Sequence, residues 1–187
     1  HFKESVKVLV SNRLGKCVSI NRIASLYKPE FFDLLGFKES PKDRTIYRDL
    51  ERIGTNSSLI IEQYQKLLVR NNLASPTQFI DWSSSALEGN KTDLAQFGYS
   101  RDKRPDKKQI TWGISTGING IPTALTIQKG NVVDKKHFKS MLKTVERVLE
   151  KDSLLVFDCG ANTKENKEDI LSRGYNFLTL KQKQRGP

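Results

Sequence analysis

The chain has 187 residues, enough for one sizeable core or two small ones. An apolar fraction of 36% with 9% aromatic residues excludes a disordered polymer, two cysteines exclude a disulfide framework, and no run is apolar for long enough to cross a membrane. A net charge of +11, divided as +5 over residues 1–75 and +6 over 76–187, favours a polyanionic partner, with nucleic acid the commonest.

Residues 1–74 carry helical signals and predict a small all-helical domain, suited to DNA binding or dimerisation. Phe2, Val6, Leu9 and Val10 lie at helical spacing. Ser19 is placed to cap a helix bearing Ile20, Ile23, Ala24 and Tyr27, and Pro29 starts a short segment closed by Gly36. Ser40-Pro41 signals the next helix, with Ile46, Leu50 and Ile53 on one face and Gly54 at its end. Lys42, Arg44, Arg48 and Arg52 fall on its outer face, where they are either solvated or in contact with DNA phosphates. Asn56 or Ser57 caps a last helix with Ile60, Tyr64, Leu67 and Leu68. Helical periodicity stops at Leu73, and Ala74-Ser75-Pro76 has linker composition, so the second domain is placed at 75–187.

The second domain opens on Phe79-Ile80-Asp81-Trp82-Ser83, a short apolar strand holding one acid. A polar stretch over 84–108 follows. Ile110 to Ser115 alternates as a half-buried strand does, Asn119-Gly120 is a two-residue hairpin signal, and Ile121 to Ile127 alternates on the return. Asp134 is placed to cap a helix whose stripe is Phe138, Met141, Leu142, Val145, Val148 and Leu149. Leu154 to Phe157 is uniformly apolar, as expected of a strand covered on both faces, and it runs into Asp158. Thr163 caps a further helix that ends at Arg173 with Gly174 at C′, and Tyr175 to Leu180 is the last strand. A hairpin followed by right-handed βαβ units gives a mixed sheet with helices on its faces, an α/β architecture of the ribonuclease H-like order. That order sets Asp81 beside Asp158.

Two acids on adjoining strands suit phosphodiester chemistry. Paired Mg²⁺ ions serve the attacking and leaving oxygens of an in-line displacement, and Mg²⁺ takes carboxylate oxygens. The plainer reading is that each aspartate caps a turn at a strand end. The loop cations Arg101, Lys103, Arg104, Lys107 and Lys108, with Tyr99 and Phe97 beside them, either hold phosphates and a frayed base or form a mixed-charge surface loop. His137 is read as a helix boundary residue and Cys159 as a small core residue.

The segment Glu88 to Gln109, with its Gly98-Tyr99-Ser100-Arg101-Asp102-Lys103-Arg104-Pro105-Asp106 core, resembles the region after the first catalytic aspartate of bacterial and archaeal insertion-sequence transposases of the DDE class. Gly120-Ile121-Pro122, Gly130-Asn131 and Val156-Phe157-Asp158-Cys159-Gly160 match later motifs of that family in the same order, over about residues 75–180. The resemblance implies a ribonuclease H-like fold. It implies metal-dependent cleavage at transposon ends and strand transfer to target DNA, with Mg²⁺ or Mn²⁺ at Asp81 and Asp158. It also implies double-stranded DNA as partner, pairing of DNA ends by a homodimer, and a prokaryotic, cytoplasmic, nucleoid-associated location without a membrane. In that family a glutamate completes the triad beyond the strand matching 175–180. None of residues 181–187 is acidic, and Glu165 and Glu168 fall on a solvated helix face. With an opening at His1 and a close on Arg185-Gly186-Pro187, the sequence is expected to be a fragment whose ribonuclease H-like domain is incomplete at its C-terminus. The alternatives are a silent DNA-binding remnant and a nuclease of the same fold.

Overall fold

A computed structural model describes residues 2–89, 91–99 and 103–181. The chain divides into two compact units, His1–Ile60 and Ile61–Pro187. The first is all-helical: α1 (Phe2–Leu14), α2 (Ile20–Leu26), α3 (Pro29–Leu34), α4 (Asp43–Thr55) and the first turn of α5 (Ser57–Arg70). Val8, Ile23, Phe32, Phe37 and Ile46 form its core.

The inward face of α1 differs from the apolar spacing. Ser5, Val8 and Asn12 are buried, while Phe2 and Val10 are exposed. The two polar side chains are buried because each meets a partner. Ser5 Oγ donates to Asp49 Oδ2 (2.6 Å); Asn12 donates to the Val18 carbonyl (2.8 Å) and accepts from the Val18 N–H (3.2 Å). Helix α4 starts at Asp43, two residues beyond Pro41, and continues past Gly54 to Thr55. Lys42, Arg44, Arg48 and Arg52 are exposed, and Arg52 contacts Asp49 at 3.4 Å.

The second unit contains β1 (Thr77–Ala86), β2 (Gln109–Gly117), β3 (Pro122–Lys129), α6 (Asp134–Val145), β4 (Leu154–Phe157), α7 (Lys164–Ser172) and β5 (Asn176–Thr179). The sheet order is β3-β2-β1-β4-β5. β1 is antiparallel to β2 and β2 to β3, whereas β4 is parallel to β1 and β5 to β4. This mixed order, with helices packed on the sheet and a helical region before it, is the ribonuclease H-like architecture expected of the sequence.

The division at Ile60/Ile61 falls inside α5, not at the linker near 75. Gln65, only 1% exposed, explains why the rest of α5 belongs with the sheet. Its amide nitrogen donates to the carbonyls of Thr123 and Thr144, each at 2.9 Å, and Tyr64 donates to the Pro122 carbonyl (2.8 Å).

Strand β1 is twice as long as its apolar signal because its polar ends are satisfied in the core. Gln78 donates to the Ser75 carbonyl (2.7 Å) and accepts from Ser115 (2.8 Å) and Thr123. Ile80, Trp82, Leu155 and Phe157 meet Phe138, Met141, Leu142 and Val145 of α6 and Ile170 of α7 in one core. Each fully buried apolar side chain there contributes roughly 1.5–3 kcal/mol. The opposite face of the sheet carries Phe79 and Asp81 with Leu125, Ile127 and Leu178, all exposed, so β4 is covered on one face and only half-buried on the other.

The β2–β3 turn is a three-residue loop, not the two-residue hairpin that Asn119-Gly120 suggests. The Gly117 N–H donates to the Ile121 carbonyl, Gly120 N–H to the Gly117 carbonyl, and Gly120 takes the left-handed φ of 78°. A separate irregularity lies further along the hairpin, where the register shifts between Ser115 and Thr116 and Thr123 is the extra residue of β3.

Candidate functional site

Asp81 and Asp158 are neighbours by register. The parallel β1–β4 ladder pairs Phe79 with Val156 and Ile80 with Phe157, and then ends. The next residues along the two strands are Asp81 and Asp158, both exposed. Asp81 is not at a strand end, since β1 runs on to Ala86 and Asp81 pairs with Ile114 of β2. It stands where β4 leaves the sheet and the flank of β1 opens. Each carboxylate is oriented by nearby backbone. The Trp82 N–H donates to Asp81 Oδ1 (2.8 Å), and the Gly160 N–H donates to Asp158 Oδ1 (3.0 Å). Two fixed carboxylates with solvent access are the donor chemistry that a hard divalent cation takes, with water or phosphate oxygens completing its shell. Among the described residues no three His, Cys, Asp or Glu side chains form a group able to hold a metal ion.

A further carboxylate lies close by. Asp134 does not cap α6; Val133 is the N-cap residue and Asp134 opens the helix. A Cβ added at Gly160 would stand 2.6 Å from Asp134 Oδ2 and 3.2 Å from Asp158 Oδ1, so both carboxylates flank one point that only glycine leaves open. The spacing Gly130-Asn131…Asp134 offers no sign of this, because the approach is made across the fold.

The polar stretch between β1 and β2 is partly anchored. Gln96 pairs with Gln109, the Gly130 N–H donates to the Leu94 carbonyl, and Ala95 is buried. The chain passes so close to Gly130 that a Cβ on Gly98 would lie 2.1 Å from the Gly130 carbonyl oxygen. Beyond it Tyr99 is 86% exposed. Of the loop cations, Lys103 is exposed. Arg104 forms two bonds to Asp106 (3.1 Å each), Lys107 binds Glu88 (2.6 Å), and Lys108 lies 6.0 Å from the centre of the Phe97 ring. These ion pairs hold the Asp106 and Glu88 carboxyls below the usual carboxylate range and raise the Arg104 guanidinium. Arg101 lies outside the described residues. Lys103 and Arg104 are thus exposed and Lys107 and Lys108 half-buried, with Arg104 and Lys107 already matched by acids.

His137 is not available as a base at the acid pair. It is 1% exposed, and its Nε2 meets Thr126 Oγ1 at 2.8 Å inside the core face. Glu165, at 2.6 Å from Lys139, and Glu168, at 3.7 Å from Lys164, lie on α7 as a solvated, ion-paired face. No helix among the described residues is long and apolar enough to cross a membrane.

Comparison with protein-family models and with curated proteins found no match. Among solved structures, the piggyBac transposase synaptic complex with hairpin DNA is similar over 98% of this chain and 42% of its own, at 13% identity and a TM-score of 0.48. The Mos1 transposase paired-end complex with left transposon end is similar over 95% of this chain and 59% of its own, at 11% identity and a TM-score of 0.40. Both are transposases. The chain spans between 42% and 59% of their length. The ribonuclease H-like assignment itself stands on the sheet order and register.

Proposed function

We propose that this chain is a DNA-binding module of the DDE-transposase class, with Asp81 and Asp158 as a two-carboxylate site for Mg²⁺ or Mn²⁺. The observation that carries this reading is the register that brings the two aspartates together where β4 leaves the sheet. The net charge of +11 and the cations of the 103–108 loop supply the attraction for a phosphate backbone. The donor set fits a hard cation, which when bound supplies charge neutralisation at a phosphate and an activated water. Asp81 and Asp158 would hold it through oxygens whose orientation the Trp82 and Gly160 N–H groups fix.

Among the described residues no third His, Cys, Asp or Glu joins Asp81 and Asp158 as a metal-holding group, and DNA binding without cleavage is the reading proposed for them. The full transposase reaction, with end cleavage and strand transfer, needs a further acid brought to this pair. A nuclease of the same fold that cuts without joining is the third possibility, and the products distinguish the three. The test incubates the chain with labelled duplex DNA and Mg²⁺, measuring binding by anisotropy and products on a denaturing gel. Salt-sensitive binding without cleavage is expected. Cleaved or joined products would overturn the non-catalytic part of the reading; absence of binding at low salt would overturn all of it.

A further inference from the structure

The sheet of the second unit is covered by α6 and α7 on one face and open on the other. The strand registers set the open-face side chains in rows. Phe79, Val156 and Leu178 form one row across β1, β4 and β5, and Leu178 is 60% exposed. Across β2 and β3, Ile114 pairs with Leu125 and Trp112 with Ile127, which is 50% exposed. Asp81, paired with Ile114, joins the two groups. The result is one apolar band across the five-stranded sheet, with a carboxylate inside it.

The band is large enough to be an interface. At roughly 150–250 Å² for a fully exposed large side chain, its exposed fractions amount to roughly 500 Å² of apolar surface. A standard protein interface buries about 800 Å² on each partner, of which roughly 56–65% is apolar. The band therefore matches the apolar content of one such interface. A second copy presents the same band, so a two-fold axis sets apolar area against apolar area with no other partner required. Sheets stack face to face in this way. Apolar side chains around a carboxylate give a phosphate backbone nothing to bind, so this face is not a DNA surface.

We infer that the open face docks against the same face of a second copy, and that the resulting two-fold dimer covers Asp81. It is a closed form, because the carboxylate proposed to hold the cation lies within the contact. It differs in this from a dimer that pairs DNA ends, which must leave the acids open. Desolvation of a carboxylate opposes the association, and so does the charge of +11 on each copy. The dimer is therefore reversible and dissociates on dilution. The inference does not depend on DNA binding.

The test is sedimentation velocity of the full chain without DNA, from about 1 to about 200 μM, in about 0.1 M and about 0.5 M salt. A monomer–dimer equilibrium is expected that tightens with salt, since screening relieves repulsion between two basic copies. DNA binding weakens with salt, so the two associations are told apart. Ile127→Lys on β3 and Leu178→Lys on β5 each bring two charges into a two-fold contact, and each should weaken the dimer by about tenfold or more. Both side chains are at least half exposed in the single chain, so the fold should be kept, and urea unfolding checks it. Leu67→Lys, at a 55% exposed position of α5 outside the band, should leave the dimer unchanged. Carbodiimide labelling of Asp81, read by mass spectrometry, should fall as the dimer forms and recover in Leu178→Lys. A chain that stays monomeric throughout overturns the inference. So does a dimer that survives both band substitutions, or one that Leu67→Lys weakens as much as they do. A dimer in which Asp81 labels as it does in the monomer overturns the closure of the site.

Discussion

Gln65→Met removes two hydrogen bonds while keeping the volume of a side chain that is 1% exposed. The carbonyls of Thr123 and Thr144, each 2.9 Å from the Gln65 amide nitrogen, lose that donor, and no water replaces it readily at a buried site. Leaving a buried polar group unsatisfied costs about 1–3 kcal/mol, toward the lower end for a carbonyl, so the expected loss is about 2–4 kcal/mol. The contact from Arg147 to Gln65 Oε1 is long, at 3.4 Å, and adds little. For a unit of this size that loss corresponds to a fall in Tm of roughly 8–15 °C. The assay is urea unfolding followed by tryptophan fluorescence. Trp82 and Trp112, the only tryptophans in the sequence, both lie in the sheet, so the signal reports the second unit alone. The midpoint should fall with the slope unchanged. A loss under about 0.5 kcal/mol, typical of a surface substitution, would refute the assignment of α5 from Ile61 onward to the sheet unit.

Two further substitutions test the loop and its anchor. Glu88→Gln should release Lys107 for phosphate contact and steepen the dependence of log K on log salt by about one. The Lys107 pair keeps Glu88 ionised to a pH below the ordinary carboxylate range, so mild acidification should not reproduce this effect, and an unchanged slope in the variant would show that Lys107 does not reach DNA. Gly130→Ala would place a Cβ 1.9 Å from the Gln109 carbonyl oxygen and 2.5 Å from that of Gln96, both backbone atoms, and should abolish cooperative unfolding of the sheet unit or cost more than about 4 kcal/mol. A wild-type transition in that variant would mean that the 94–99 segment does not pack against Gly130.

Much of the second unit was legible because its pattern is apolar and local. The stripe Phe138, Met141, Leu142, Val145 appears as read, and Thr163 caps α7 by accepting from the Asn166 N–H (3.2 Å). The approach of Asp81 to Asp158 followed from strand order alone. What was not legible depends on buried polar groups that meet partners far along the chain. Ser5 is buried because Asp49 accepts its proton, Gln78 because Ser115 and Thr123 donate to it, and Gln65 because two distant carbonyls need a donor. Apolar periodicity is silent about such residues, so it misplaced the inward face of α1, shortened β1 and moved the boundary past α5. Asp134 shows the same limit at the site. A short acid at a helix start resembles a cap, and only the fold reveals that its carboxylate points toward Gly160 and Asp158.

The central claim is that Asp81 and Asp158 form one cation site. Titration of the protein with Mn²⁺, followed by electron paramagnetic resonance of the free ion in the presence of duplex DNA, tests it most directly. The account predicts bound Mn²⁺ in the wild type and loss of the same binding step in Asp81→Asn and in Asp158→Asn, with DNA affinity at low salt retained. Wild-type Mn²⁺ binding that persists undiminished in both variants, or a wild type that binds none, would contradict it.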